Sequence, residues 1–191
     1  MRQKVIILLF FAALLTTPVV FADPVTYTLD PAHTSFDFTV QHMMISNVPG
    51  GFDKFSGTVT YDPKDLDHSS ANITIDTASI DTHIDKRDNH LRSPDFFDAA
   101  QFPNITFVST KFTPGYISGK LTMHGVMNYV TIPVTINGPV SMMGHQAIGI
   151  TGSLTINRQD YGIKWNKSLD QGGVAVSDNV NITISIEADA K

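Results

Sequence analysis

The run Val130-Thr131-Ile132-Pro133-Val134-Thr135-Ile136 places an apolar side chain at every second position, with threonine or proline between. Successive side chains leave a β-strand on opposite sides, so this period predicts a strand with one buried and one wetted face. The same period returns at Phe36/Phe38/Val40, Gly57/Val59/Tyr61, Ile73/Ile75 and Ile105/Phe107. It closes the chain at Ile148/Ile150, Leu154/Ile156 and Val180/Ile182/Ile184/Ile186. Parallel strands buried on both faces would read as unbroken apolar runs, so alternation on this scale predicts an antiparallel sheet. Composition agrees. Beyond residue 22, Val, Ile and Thr supply 46 of 169 residues while Leu supplies 6. Branching at Cβ stiffens a side chain and suits a pleated surface. Seventeen of the eighteen acids are aspartate, a poorer helix former than glutamate.

Turn-forming clusters divide these runs: Val48-Pro49-Gly50-Gly51, Asp62-Pro63-Lys64-Asp65, Thr113-Pro114-Gly115, Asn137-Gly138-Pro139 and Gln171-Gly172-Gly173. They leave strands near 25–29, 34–43, 52–61, 70–80, 104–112, 115–123, 126–137, 145–158 and 179–188, the first read as a short lead-in. One segment breaks the pattern. Thr82 is placed to N-cap a short helix over 83–92, which Ser93-Pro94 ends. The expected fold is all-β: an eight-stranded antiparallel up-and-down barrel with one short helical insertion.

Residues 1–22 read as a cleavable secretory leader, with Arg2 and Lys4 before an apolar run and Ala22 at the cleavage position. Residues 23–191 are then expected to form one domain with a net charge of −7, from 11 bases and 18 acids. Such an acidic domain has no electrostatic footprint for nucleic acid or for an anionic membrane surface. No later run approaches the ~20 apolar residues that cross a bilayer as a helix. The absence of cysteine excludes disulfides, thiol catalysis and thiolate-bound metals.

The positions expected to face inward are apolar or aromatic. An eight-stranded barrel is wide enough either to fill itself with side chains or to hold one small ligand. From the pattern alone both outcomes stay open. An apolar cavity would suit an alkyl or prenyl chain, at about 0.8 kcal/mol per buried CH₂.

The run Arg87-Asp88-Asn89-His90-Leu91-Arg92-Ser93-Pro94-Asp95-Phe96-Phe97-Asp98, followed by Phe102-Pro103-Asn104-Ile105-Thr106-Phe107, is the most distinctive in the chain. It closely resembles the signature of the YceI-like polyisoprenoid-binding family. Leu29–Thr34, Phe52–Gly57, Thr122–Val126, Asn157–Ile163 and Val176–Val180 resemble further blocks of that family in the same order. The resemblance implies an exported, lipocalin-like barrel in the periplasm. Within it an elongated pore would hold a polyisoprenoid, an isoprenoid quinone or a fatty-acid derivative. Some members are associated with stress and acid responses. Met43-Met44 departs from the family pattern, and adaptable methionine side chains there would reshape the pore or its mouth.

The candidate lining residues are Phe36, Phe38, Val40, Phe55, Leu91, Phe96, Phe97, Phe107, Ile132, Ile150, Trp165 and Ile184. Arg87, Asp88, His90, Arg92 and Asp95 form a polar cluster expected near the mouth. It has two readings: a site for the ligand's polar head, or a clamp holding the helix to the barrel. No catalytic residue, metal or cofactor is expected. His83, Asp85 and Asp88 read as a solvated face, and no nucleophile elbow, metalloprotease or phosphate-binding motif occurs. Two other functions are carried as alternatives. One is an enzyme using His90 and Asp95 on a hydrophobic substrate. The other is a partner module for a quinone-dependent membrane cytochrome. The expected partner is a lipid-like small molecule, and a homodimer is carried as an expectation.

Overall fold

The computed structural model describes residues 23–142, 144–170 and 172–190. The expected leader lies outside the described residues. Among the described residues there are eleven strands: β1 (Val25–Leu29), β2 (Ser35–His42), β3 (Ser46–Phe52), β4 (Phe55–Tyr61), β5 (Ser70–Asp76), β6 (Ile80–Asp81), β7 (Asn104–Thr113), β8 (Tyr116–Met123), β9 (Val126–Met142), β10 (His145–Asn157) and β11 (Val176–Ala190). The helix α1 (Asp85–Arg92) lies between β6 and β7. No helix among the described residues is long and apolar enough to cross a membrane.

Three pairs of strands lie end to end and act as single staves. β1 and β2 both run along β11, with Leu29 opposite Ala188 and Ser35 opposite Ser185. Beside them, β4 pairs with β1 and β3 with β2. Next, β5 pairs with β4 and β6 with β3. With these merged, eight antiparallel staves follow one another in chain order, and the β1–β11 pairing closes the ring. This is the expected up-and-down barrel, and it leaves no continuous open edge.

Several local expectations are corrected. Residues 25–29 are not a lead-in, because they complete the ring. Val48-Pro49-Gly50-Gly51 is no turn: it lies within β3, with Gly50 opposite Phe38 and Pro49 opposite Thr39. Here glycine serves close approach, since a Cβ at Gly50 would fall 2.4 Å from the Phe38 ring. Asn137-Gly138-Pro139 likewise lies inside β9, beside a bulge between Ala147 and Gly149 of β10. The helix begins two residues later than expected, after Ile84, and Thr82 does not cap it. The segment Asp160-Tyr161-Gly162 ends a 3₁₀ turn over Arg158–Tyr161, and Gly162 adopts the left-handed φ of 78° that closes it.

The inward alternation packs into two clusters. At the end away from α1, Tyr27, Val59, Ile148 and Ala188 are almost wholly buried, with Phe36, Ile73, Phe112, Ile117, Ile150 and Ile186 around them. At the α1 end, Phe96, Ile105, Met123, Ile156, Tyr161 and Ile163 form a second group.

The seam depends on the bulge between β1 and β2. The Thr34 hydroxyl donates to the Glu187 carbonyl at 3.0 Å and lies 3.1 Å from the Glu187 N–H, whose proton it accepts. It thus stands in for a missing ladder residue. Thr34→Val is expected to lower unfolding free energy by about 1–3 kcal/mol, because the Glu187 N–H loses its acceptor while the Glu187 carbonyl keeps only the Asp30 N–H. A denaturant titration checks this, and an unchanged midpoint would contradict it.

Beside the seam, His33 Nδ1 lies 2.6 Å from Asp30 Oδ2. That hydrogen bond, then the charges of Glu187 and Asp30, raise His33 above its ordinary 6.5. The same bond, then the Ala32 N–H, lower Asp30 below 3.8. The His33 contribution to folding is therefore complete below the ordinary histidine value and is lost as pH rises through the raised one. The Asp30 contribution is present above 3.8 and lost as pH falls through the lowered value. In an NMR titration His33 is expected to titrate above 6.5 and to move down in Asp30→Asn; an unmoved midpoint would contradict the pairing.

Candidate functional site

The barrel holds a cavity of about 190 Å³. Its wall is drawn from nearly every stave, from Ile73, Ile117 and Ile186 at one level to Val40, Val176 and Ile156 at the other. Leu91, Phe96 and Phe97, from α1 and the turn after it, complete one side. The interior stays open because large rings lie down against the wall. A Cβ on Gly119 would meet the Phe107 ring at 2.6 Å, so that ring covers the glycine rather than crossing the lumen. Phe38 covers Gly50 in the same way.

Ten expected lining residues lie on this wall: Phe36, Phe38, Val40, Leu91, Phe96, Phe97, Phe107, Ile132, Ile150 and Ile184. Two expectations are corrected. Phe55 stands behind Phe36, edge to face with ring centroids 5.0 Å apart, and belongs to the packed end. Trp165 stacks behind Phe96 and His90, with centroids 5.1 Å from each. Its segment is not a strand, so the period-two alternation that places the other lining residues does not hold there.

None of the polar cluster lies on the cavity wall. Buried Asp88 accepts from the N–H of Thr82 at 2.9 Å and from the Thr82 hydroxyl. Arg87 donates to the Thr82 hydroxyl and carbonyl, each at 2.7 Å. Arg92 donates to the carbonyls of Ala78 and Ile80 at 2.7 and 2.6 Å. His90 Nε2 and Asp95 Oδ2 are 2.9 Å apart at the surface. This is the geometry of a clamp: the helix is latched to the stave that precedes it, and its apolar side is held over the lumen. His83 turns instead to Asp81, at 3.3 Å, so the His83/Asp85/Asp88 face does not converge. Among the described residues the group with convergent carboxylate and imidazole atoms is Asp30, His33 and Glu187, on the outer seam.

The wall's charged side chain, Arg158, was not foreseen. Arg158 is buried and donates to the carbonyls of Ile163 at 2.7 Å and Ser177 at 2.9 Å, and to Asp178 at 3.1 Å. Burial lowers its pKa, and Asp178 acts against that shift. It staples the 158–176 connection across the α1 end of the barrel. The block Asn157–Ile163 was visible in the sequence, but nothing in it showed that the guanidinium turns inward.

An all-β ring closed on itself around an apolar lumen defines a class of barrel whose interior is a pocket as well as a core. The chain belongs to the YceI-like family, whose domain model matches residues 27–188. It is 41% identical over 163 residues to a UPF0312 protein of Staphylococcus aureus (strain bovine RF122 / ET3-1), covering 84% of this chain and 95% of that one. It is similar to the crystal structure of Burkholderia cenocepacia BcnA, with 30% identity, a TM-score of 0.73, and coverage of 84% of this chain and 99% of that one. A polyisoprenoid binding domain from Saccharophagus degradans shares the fold at 18% identity and a TM-score of 0.65, covering 87% and 99% of the two chains.

If the clamp holds the helix, Asp88→Ala is expected to destabilise the protein by about 1–3 kcal/mol, because the Thr82 donors lose their acceptor. It is also expected to make residues 82–98 the first site of limited proteolysis. Unchanged stability and cleavage pattern would contradict the clamp.

Proposed function

We propose that this protein is an exported carrier or reservoir that holds the apolar chain of one amphiphile inside the barrel. The ligand class is polyisoprenoid, isoprenoid quinone or fatty-acid derivative, and no covalent chemistry is involved. The observation that carries this reading is the enclosed cavity with an almost wholly apolar wall. Such a wall offers nothing to a sugar, ion or nucleotide, and it gains about 0.8 kcal/mol for each CH₂ it buries. Family membership and the likeness to the Saccharophagus degradans polyisoprenoid binding domain support the polyisoprenoid class. The leader-like residues 1–22 support export to the periplasm. Against catalysis, His90 and Asp95 pair outside the lumen.

Trp165 is the only tryptophan in the chain and stacks on Phe96, a wall residue, so its emission reports on the lumen. Titration with a long-chain polyprenyl quinone is expected to quench it saturably. Ile150→Phe, which narrows the lumen, is expected to weaken binding roughly tenfold, the equivalent of about two CH₂ groups left unburied. Quenching without saturation, or equal affinity in the variant, would overturn the reading.

A further inference from the structure

The staves form a ring, yet one short stretch of that ring is not joined by backbone. β5 and β7 pair from Asn72/Val108 to Asp76/Asn104. Beyond Asp76 the stave turns through Thr77–Ser79 and continues as β6, which pairs with β3. The other edge of β6 meets no strand among the described residues, so β6 and β7 part without a ladder between them. Here α1 packs against β6, and its side chains take the place of the missing ladder. Arg92 donates to the Ile80 carbonyl at 2.6 Å, and Arg87 to the Thr82 carbonyl at 2.7 Å. Asp88 accepts the Thr82 N–H at 2.9 Å.

The segment that fills this gap is self-contained. The backbone hydrogen bonds donated by residues 87–102 all end on carbonyls of residues 84–98. It can therefore move outward without breaking one ladder bond. Both ends are tied to the barrel. His83 precedes it with a left-handed φ of 63°, which a residue with a side chain adopts only at a cost. Phe102 follows it, its ring 4.7 Å from that of His124, and the next carbonyl, of Pro103, accepts the Thr77 N–H at 2.9 Å. Between these ends lie Leu91, Phe96 and Phe97, so moving the segment removes part of the lumen wall. The rest of the cover is held more firmly. The far end is packed by Tyr27, Val59, Ile148 and Ala188. The 158–176 connection is stapled by Arg158, and its Ala175 carbonyl accepts the Met43 N–H at 2.8 Å. We infer that residues 84–101 are a door in the side of the barrel. The segment swings away from β6 about its two ends, the Arg92 bonds to Ala78 and Ile80 are its latch, and ligand passes between β6 and β7. The passage rests on the carrier reading, whereas the motion of the door does not.

The chain has no cysteine, so one engineered pair can lock the door. Thr82→Cys with Asp88→Cys joins two side chains that touch in the structure and ties the helix to the stave before it. Uptake of a polyprenyl quinone from detergent, and its release to phosphatidylcholine vesicles, are followed in stopped flow by Trp165 quenching. Both rates are expected to fall about tenfold or more in the oxidised protein and to recover on adding a reductant. Arg92→Ala tests the same claim without a new bond. It is expected to speed uptake and release about tenfold each, while the dissociation constant stays within about twofold, because the latch touches no ligand. Hydrogen exchange reads the motion without ligand. Amides of residues 85–101 are expected to exchange before those of β10 and β11, and faster still in Arg92→Ala, with the β10–β11 ladder unchanged.

Equal rates in the oxidised and reduced protein would overturn the door, as would wild-type rates in Arg92→Ala. Faster ligand exchange in Arg92→Ala that comes with faster hydrogen exchange over the whole barrel would overturn it too, since ligand would then pass by general unfolding. A wild type that takes no quinone, while residues 85–101 still open first, would overturn the carrier reading and leave the motion of the door standing.

Discussion

The structure depends on closure, on a sheet whose last strand must find its first. β11 meets this constraint by pairing with β1 near its C-terminal end and with β2 along the rest. The two partners are separated by the Asp30–Thr34 bulge, and there the Thr34 hydroxyl accepts the Glu187 N–H that the ladder would otherwise leave unpaired, and joins the Asp30 N–H on the Glu187 carbonyl. Closure satisfies the backbone of all eight staves at once. It also fixes the diameter, and with eight staves the diameter sets how much the inward side chains must fill.

They do not fill it. One end is packed by tyrosine, valine, isoleucine and alanine to near-complete burial. Toward the other end the wall thins, because Phe38 and Phe107 lie flat on Gly50 and Gly119 instead of crossing the lumen. The helix supplies the missing side through Leu91 and, just beyond it, Phe96 and Phe97. Its charged face is spent on carbonyls and hydroxyls of the stave before it, so the helix brings no charge to the lumen, and the wall's buried guanidinium, Arg158, is taken up by backbone carbonyls and Asp178. A cavity results from this division, since a helix presenting polar groups to the lumen would have given a wet and selective site instead.

Much of this was legible in the sequence. Period-two alternation gave the staves and the inward residues from Ile73 to Ile186, because side-chain direction in a strand depends on parity alone. Failures came where local chemistry and tertiary context diverge. Pro49-Gly50-Gly51 carries every local mark of a turn, yet Gly50 is required by the Phe38 ring on the neighbouring strand. Trp165 was assigned by parity in a segment that is not extended as a strand. Nothing in the sequence singles out Arg158, because only the fold brings three backbone carbonyls from two segments to its guanidinium. The polar cluster was visible as a cluster, but its direction, toward Thr82, Ala78 and Ile80, depends on where β6 sits.

The central claim is that the lumen is a ligand site and not an imperfectly packed core. Native mass spectrometry of the protein purified from its own cells tests this most directly. The account predicts a population heavier than the polypeptide by the mass of one long-chain amphiphile, released as an apolar compound by organic solvent. A protein that always carries its bare mass, and still does after incubation with prenols, polyprenyl quinones and fatty acids, would contradict it.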